Sequence, residues 1–291
     1  MILVVGEAIV DVVERPDGSR AEHAGGSPAN VAVGLGRLGL EVTLATSIGD
    51  DAHGELIEAH LSESGVALTA GSRTPGRTSS SVAHLGPGGA ATYDFDVTWD
   101  PGPIATPGDV RAVHTGSIAA TLAPGADDVE TLVRQLQPTA VVTFDPNIRP
   151  ALLPDRDDAI RRVDLLVGLA DVVKVSDEDL RWLDPDQPVD AVAARWLDIG
   201  PSVVAVTRGR DGSTAFARTG RREVPRQSVT VVDTVGAGDA YMSGLIAGLH
   251  GEGLLTGAHR TELRGIDQET LGRVATLAAM RAAWVVGRAG A

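Results

Sequence analysis

The stretch Asp233-Thr234-Val235-Gly236-Ala237-Gly238-Asp239 sets two glycines and an alanine directly ahead of a carboxylate. The β-branched run Val229-Thr230-Val231-Val232 precedes it and an apolar segment with small residues at helical spacing follows, so a strand before and a helix after are expected. Amides at a helix start point outward with the positive end of the dipole behind them, and small residues let an anion come close to the backbone. Such a turn is an anion hole. No Lys-Ser or Lys-Thr follows the glycines, so it is not a Walker loop. At the mouth of this turn Asp239 can take the proton of an attacking hydroxyl while the amides hold a phosphoryl group in transfer. The same residues also read as a helix N-cap preceded by turn glycines, and residue chemistry alone does not separate the two.

Gly34-Leu35-Gly36-Arg37-Leu38-Gly39 matches the dinucleotide fingerprint G-x-G-x-x-G. That fingerprint works only where it leaves a strand and opens a helix. Here the helix begins near Ala29, Gly39 stands at a C-terminal cap, and the next strand starts at Val42. A nicotinamide oxidoreductase is disfavoured on that ground.

The elements that must position these residues follow an α/β pattern. Short apolar runs at Ile2-Val5, Val42-Thr46, Ala112-His114, Ala140-Phe144, Val172-Val175 and Val203-Thr207 alternate with helical patterns, the signature of a parallel sheet. The helices are expected near 29–38, 54–64, 127–137, 156–168, 191–198, 240–250 and 268–286. Two stretches break the alternation. Ile9-Glu14 with the turn Pro16-Asp17-Gly18, and Thr78-Leu85 with Gly86-Pro87-Gly88-Gly89 and Thr92-Trp99, read as hairpins. Four strands without helices suggest a small sheet projecting from the body, placed to cover the sheet edge where α/β proteins bind ligands.

A chain of 291 residues with 43% hydrophobic content can bury a large core. A net charge of -14, from 39 acidic and 25 basic residues, argues against a nucleic-acid partner, and an anionic substrate needs placed cations or helix N-termini. The absence of cysteine excludes disulfides and thiolate metal sites. Met1-Ile-Leu-Val-Val-Gly reads as a first strand and not as a signal peptide, and no apolar run reaches transmembrane length, so a cytoplasmic protein without a membrane partner is expected.

Asp233 to Leu245 closely resembles the C-terminal signature of the ribokinase-like (PfkB) carbohydrate kinases, and Gly25-Gly26-Ser27-Pro28-Ala29-Asn30-Val31-Ala32 resembles their N-terminal signature. The resemblance extends through Gly6 and Asp11, Ile48-Gly49-Asp50-Asp51, Asp145-Pro146-Asn147-Ile148-Arg149 and Thr207-Arg208-Gly209-Arg210-Asp211-Gly212. It implies a single ribokinase-like domain over residues 1–291, a three-layer α/β/α sandwich with a small β-sheet lid built from insertions at about 9–24 and 77–99. It also implies an ATP- and Mg2+-dependent sugar kinase, closest to the fructokinase branch by the Gly6-to-Glu14 and Gly-Gly-Ser-Pro-Ala-Asn runs. Kinases of 2-keto-3-deoxygluconate, other ketoses or nucleosides are the alternatives, and a non-catalytic sugar-binding relative is disfavoured by the intact anion-hole turn.

Carried onto this chain, the resemblance makes Gly236, Ala237 and Gly238 the anion hole and Asp239 the general base. Asp11, Gly25, Gly26, Asn30 and Asn147 face the sugar, and Arg149 supplies positive charge near the transferring phosphoryl group. Thr207, Gly209 and Gly212 serve the nucleotide, and Lys174, at a strand end beside the loop at 176–179, is expected to reach a phosphate of the nucleotide or to pair with an acid. Where many members carry Asn-x-x-Glu, this chain has Ser176 and Asp179 with Glu178 adjacent, which leaves Asp179 and Glu178 as alternative acids for Mg2+. A monovalent cation near Asp233 and a homodimer joined through the lids complete the expectations.

Overall fold

The computed structural model describes residues 1–86, 91–153 and 155–288. The chain opens with β1 (Ile2–Val5), β2 (Ile9–Glu14), β3 (Arg20–Gly25), α1 (Ser27–Gly36), β4 (Val42–Ala45), β5 (Ile48–Gly49) and α2 (Ala52–Glu63). It continues with β6 (Val66–Leu68), β7 (Arg73–Thr74), β8 (Ser80–Leu85), β9 (Ala91–Asp96), β10 (Ala112–Gly116), α3 (Ile118–Thr121), α4 (Gly125–Leu136) and β11 (Val141–Asp145). Then come α5 (Arg156–Leu169), β12 (Val172–Ser176), α6 (Asp177–Leu183), α7 (Val189–Ile199), β13 (Val203–Thr207), β14 (Ser213–Ala217) and β15 (Gly220–Val224). Helices α8 (Ala237–Gly251), α9 (Arg260–Arg264) and α10 (Gln268–Val286) close it.

The large sheet runs β15-β14-β13-β12-β11-β10-β1-β4-β6, parallel from β13 to β6 and antiparallel at the β14–β15 edge. Its central strands are apolar throughout because helices cover both faces. Ile2 and Val4 pack with residues of α1, α8 and α10, while Leu3 and Val5 pack with residues of α4, α5 and α7. This is the expected three-layer sandwich. From β1 the chain builds outward to β4 and β6, then returns to β10 on the other side of β1. The order therefore reverses between β1 and β10, which opens a crevice beyond the carboxyl ends of those strands.

A four-stranded sheet, β3-β2-β8-β9, stands apart from the large one. The two expected hairpins form it, joined by a parallel β2–β8 pairing that neither hairpin alone would reveal. The first turn closes with Gly18 N–H on Arg15 O. The second, expected at 86–89, falls on residues 87–90, outside the described ones. Val10 and Val12 face the core, whereas Asp11 aligns with Ser81 and, through it, with Phe95 on the opposite face.

The expected strand Val229–Val232 does not form. Residues 225–236 are irregular, and Val231 and Val232 are about half exposed. The sheet edge already ends at β15, so this segment finds no strand partner and instead ties to the end of α10, Val232 and Asp233 both donating to Val286 O. Tertiary context overrides the β-branched preference. Helices begin two or three residues earlier than expected at α1 and α8, and β6, β14, β15, α6 and α9 were not expected. Among the described residues no helix is long and apolar enough to cross a membrane.

Immediately after β1, Glu7 is buried at 3% exposure and accepts the Ala119 N–H at 3.1 Å. Burial pushes its carboxyl up to about 7, against hydrogen bonds and the charge of Arg149. A carboxyl raised in the folded state adds stability below its unfolded pKa and loses it as pH rises through its folded one. The parent protein should therefore gain about 3 kcal/mol on Glu7→Gln as pH falls from about 8 to about 4. Denaturant titrations of both proteins at each pH check this, and parallel pH dependences would show that Glu7 is not held protonated.

Candidate active site

Helix α8 begins at Ala237, with Gly236 as N-cap in the left-handed region at φ 72°, a conformation that favours glycine. No side chain caps this end. The free amides of the first turn point into the space ahead of the helix, as an anion hole requires. Asp239 lies inside the first turn and makes no capping bond, which removes the reading of it as a helix cap. Its two oxygens instead reach across to α1: Oδ1 accepts from Ser27 Oγ at 2.7 Å and Oδ2 from Asn30 Nδ2 at 2.9 Å. The carboxylate is buried at 8% exposure yet fully oriented, a mount suited to a general base.

The start of α1 explains how Ser27 and Asn30 arrive there. Gly26 adopts φ 101°, and a Cβ at that position would lie 2.5 Å from Glu7 O. The sharp turn drops Ser27 to the first helical position, with Pro28 behind it and Asn30 one turn along. Asn30 was assigned to sugar hydroxyls by the resemblance; in this structure its amide nitrogen is committed to Asp239. Gly34 and Gly36 lie inside α1, where Cβ atoms would strike Ser243 Oγ at 2.6 Å and Ser64 O at 2.1 Å. The apparent dinucleotide fingerprint is thus a helix-packing pattern.

A cleft of about 850 Å³ runs beyond the carboxyl ends of β11 to β13 to the first turn of α8. Lys174, Thr207, Gly209 and Gly212, expected at the nucleotide, line it together with Ala237 and Gly238. So do Asn147, Arg149 and Glu178. One end is apolar, walled by Val229, Val231, Ala279, Ala282, Ala283 and Val286. Small residues on one face of α10 line this end, with Val229 and Val231 beside them. Sequence reading did not single out this wall, since alanines at helical spacing look like ordinary core.

Lys174 Nζ donates to Asp145 Oδ2 at 2.7 Å, both side chains being almost wholly buried. Burial works against the lysine charge, and Asp145, Asp239 and Asp179 together outweigh it, so Lys174 is held above its ordinary pKa. Burial pushes Asp145 up to about 6 against the attraction of Lys174. Asp145 belongs to the Asp-Pro-Asn-Ile-Arg run, but its role had not been read from it.

Asp11, Gly25 and Gly26 do not line this cleft; they gather at the base of the small sheet, behind α1. Gly25 leaves room for Asp11, whose Oδ2 would lie 2.3 Å from a Cβ there. Burial raises the Asp11 carboxyl, opposed by the charges of His23 and Arg149. The exposed guanidinium of Arg149 therefore acts on the Asp11 end as well as lining the cleft.

Of the two acids expected at Mg2+, Asp179 is consumed by the protein itself. Its Oδ1 accepts the Ile148 N–H at 3.0 Å, and its Oδ2 accepts Ser176 Oγ at 2.7 Å and the Ser176 N–H at 3.3 Å, closing a capping box on α6. Glu178 is exposed on the cleft wall. Among the described residues no group of three or more His, Asp or Glu side chains converges on one point. That donor set suits an ion carried mainly by phosphate oxygens and water, with a single carboxylate in reach, which is the habit of Mg2+.

A family model described as pfkB family carbohydrate kinase matches residues 1–291. The chain is 34% identical over 282 residues to a fructokinase of Rhizobium leguminosarum bv. trifolii, covering 93% of this chain and 85% of that protein. It is 32% identical over 262 residues to a fructokinase of Klebsiella pneumoniae, covering 87% and 85%. The crystal structure of a fructokinase with bound ATP from Xylella fastidiosa superimposes with a TM-score of 0.83 at 27% identity, covering 99% and 92%.

The division of labour between the two neighbouring acids is open to test. Asp179→Ala should lower stability by about 1–3 kcal/mol, through the lost cap and the orphaned Ile148 N–H, whereas Glu178→Gln should leave the melting temperature unchanged. Thermal melts that rank the two in the opposite order would remove Asp179 from its structural role.

Proposed function

The chain belongs to the pfkB family of carbohydrate kinases and is an ATP-dependent sugar kinase; we propose that fructose is its acceptor and that residues 1–291 act as one kinase domain under a lid. The observation that carries the catalytic assignment is the mounting of Asp239 at the anion hole, with both oxygens held by Ser27 and Asn30.

In this reading the purine lies in the apolar slot against α10, and the phosphates run past Thr207, Gly209 and Gly212 toward Lys174 and the first turn of α8. Amides of Gly236, Ala237 and Gly238 hold the γ-phosphoryl group, a term that grows as charge develops in flight. Arg149 adds positive charge where the overall field of this acidic chain is unfavourable. The sugar rests against Gly25 and Gly26, with Asp11 accepting from its hydroxyls, and reaches Asn147 on the lining of the cleft. Asp239 takes the proton of the attacking hydroxyl. Glu178, exposed on the cleft wall, would hold Mg2+, which would supply neutralisation of phosphate charge. A monovalent cation is placed by Asp233, whose backbone is tied to Val286 at the end of α10. A cytoplasmic location fits ATP as the phosphoryl donor.

The lid completes the site. Tyr93 and Phe95 are 57% and 42% exposed and stack with ring centroids 6.0 Å apart, on the face of the small sheet that carries Asp11. Two aromatic rings on an open sheet are poor solvent partners, and the same sheet of a twofold-related chain would cover them. We propose a homodimer clasped in this way. Replacing both rings by serine should give a monomer in light scattering and raise the sugar KM; a parent protein already monomeric and fully active at micromolar concentration would refute the clasp.

The decisive experiment is a coupled assay of ADP release against fructose, 2-keto-3-deoxygluconate, other ketoses and nucleosides. Fructose should give the highest kcat/KM, and no activity on any of them would sink the reading. Asp239→Asn should lower kcat by about two orders of magnitude or more with little change in sugar binding. Retention of a rate within tenfold of the parent would return Asp239 to a structural role.

A further inference from the structure

We propose that Lys174 is a catalytic residue: its ammonium, mounted on Asp145, meets the transferring phosphoryl group from the cleft floor while the amides of residues 236–238 meet it from the wall. The proposal deepens the kinase reading and rests on it.

A largely buried ion pair elsewhere among the described residues allows a direct comparison. Arg260 and Asp171 are knit into the backbone: Arg260 also donates to Gln137 O and Ala140 O, and Asp171 also accepts the Val142 N–H. That is how a structural pair offsets the cost of removing charge from water. The Asp145–Lys174 pair is built differently. The ammonium has three donors and uses one, on Asp145, among the described residues. Asp145 Oδ1 is buried and has no hydrogen-bond partner. A half-satisfied pair is a poor structural device and a good receptor.

The unused donors face the anion hole. A Cβ on Gly238 would lie 2.8 Å from Lys174 Nζ. Gly238 sits inside a helix without a positive φ, so backbone conformation does not require glycine there. Glycine in a helix is about 1 kcal/mol worse than alanine. The neighbour at 237 is alanine, and the physical difference at 238 is the lysine beneath it. Lys174 also lines the cleft despite its burial. Around it stand Asp145, Asp179 and Asp239, so without this cation the floor of the site would repel a triphosphate.

In the transfer the sugar oxygen bonds to the γ-phosphorus as the bond from that phosphorus to the β,γ-bridging oxygen breaks. The hydroxyl proton goes to Asp239, ADP leaves, and Lys174 keeps its proton, donating to a phosphoryl oxygen throughout. Asp145 is a positioning residue that aims the ammonium and balances its charge when the cleft is empty.

The test uses the full chain and removes the pair as a unit, since Lys174→Met alone leaves a buried carboxylate unpaired. The double variant Asp145→Asn/Lys174→Met should fold, bind ADP, which lacks the γ-phosphoryl group, within about threefold of the parent, and keep the sugar KM within that range. Its kcat should fall by about 100-fold or more, the scale of a lost electrostatic contact to the transition state. Calorimetry with ADP plus aluminium fluoride in magnesium buffer, a mimic of the phosphoryl group in flight, should show the fluoride-induced tightening lost. Lys174→Gln, which keeps one donor to Asp145, takes its place if the double variant does not fold. A folded variant that keeps kcat within tenfold, or keeps the fluoride tightening, would make the pair structural and overturn the proposal. The calorimetric arm also separates this failure from that of the kinase reading: a parent inactive on every sugar would sink the latter, while the fluoride response would still decide on Lys174.

Discussion

The arrangement depends on how closely the first turn of α8 can approach the ends of the central strands. Its amides are useful only if nothing stands in front of them and a cation lies behind the ligand. Gly236 turns the chain through a left-handed conformation, and Gly238 leaves the space that Lys174 fills. Asp239, one residue on, then falls within reach of α1, where Ser27 and Asn30 fix it. A bulkier residue at 238 would displace the ammonium and tilt the helix start, and with it the carboxylate. Three functions share one turn because small residues let backbone, cation and base crowd together without side chains intervening.

The contact between α1 and α8 also links recognition to chemistry. Ser27 and Asn30 belong to the same Gly-Gly-Ser-Pro-Ala-Asn turn whose glycines are proposed to meet the sugar. The turn is joined to Asp239 directly by two hydrogen bonds, without an intermediate element. Glu7 supports the turn from behind: its carbonyl meets Gly26 and its carboxyl holds the Ala119 amide of α3. In the proposed reading the turn that meets the sugar is thus the same one that orients the base, through Ser27 and Asn30.

Much of this was legible in the sequence, because the central strands are buried on both faces and read as continuous apolar runs, and because the two glycine-rich turns carry their own chemistry. What stayed hidden required knowledge of neighbours. Val229–Val232 has strand composition but meets no free edge, so it becomes cleft wall. Asp179 has the residue type of a metal ligand, and only the position of the Ile148 N–H shows that its oxygens are taken. Ser27 was visible within the motif, yet a serine opening a helix looks like a cap until Asp239, 212 residues away, is seen beside it. The alanines of α10 carry no local signal that distinguishes a ligand slot from packing.

The acidic character of the chain sharpens the demand on its few interior cations. A net charge of -14 repels ATP and sugar phosphate alike at long range, although salt screens that field beyond about 8–10 Å. Within the cleft the field is local, and there Lys174 and Arg149 among the lining residues and the first turn of α8 offer positive charge amid the carboxylates of Asp145, Asp179 and Asp239. Product then leaves into a surface that does not hold it. A chain with the same site and a basic exterior would bind nucleotide more strongly in every state, which lowers KM without raising kcat and slows release. Confining the cations to the reacting group spends their attraction where charge changes during transfer, and the acidic exterior keeps ground-state binding of anions weak everywhere else.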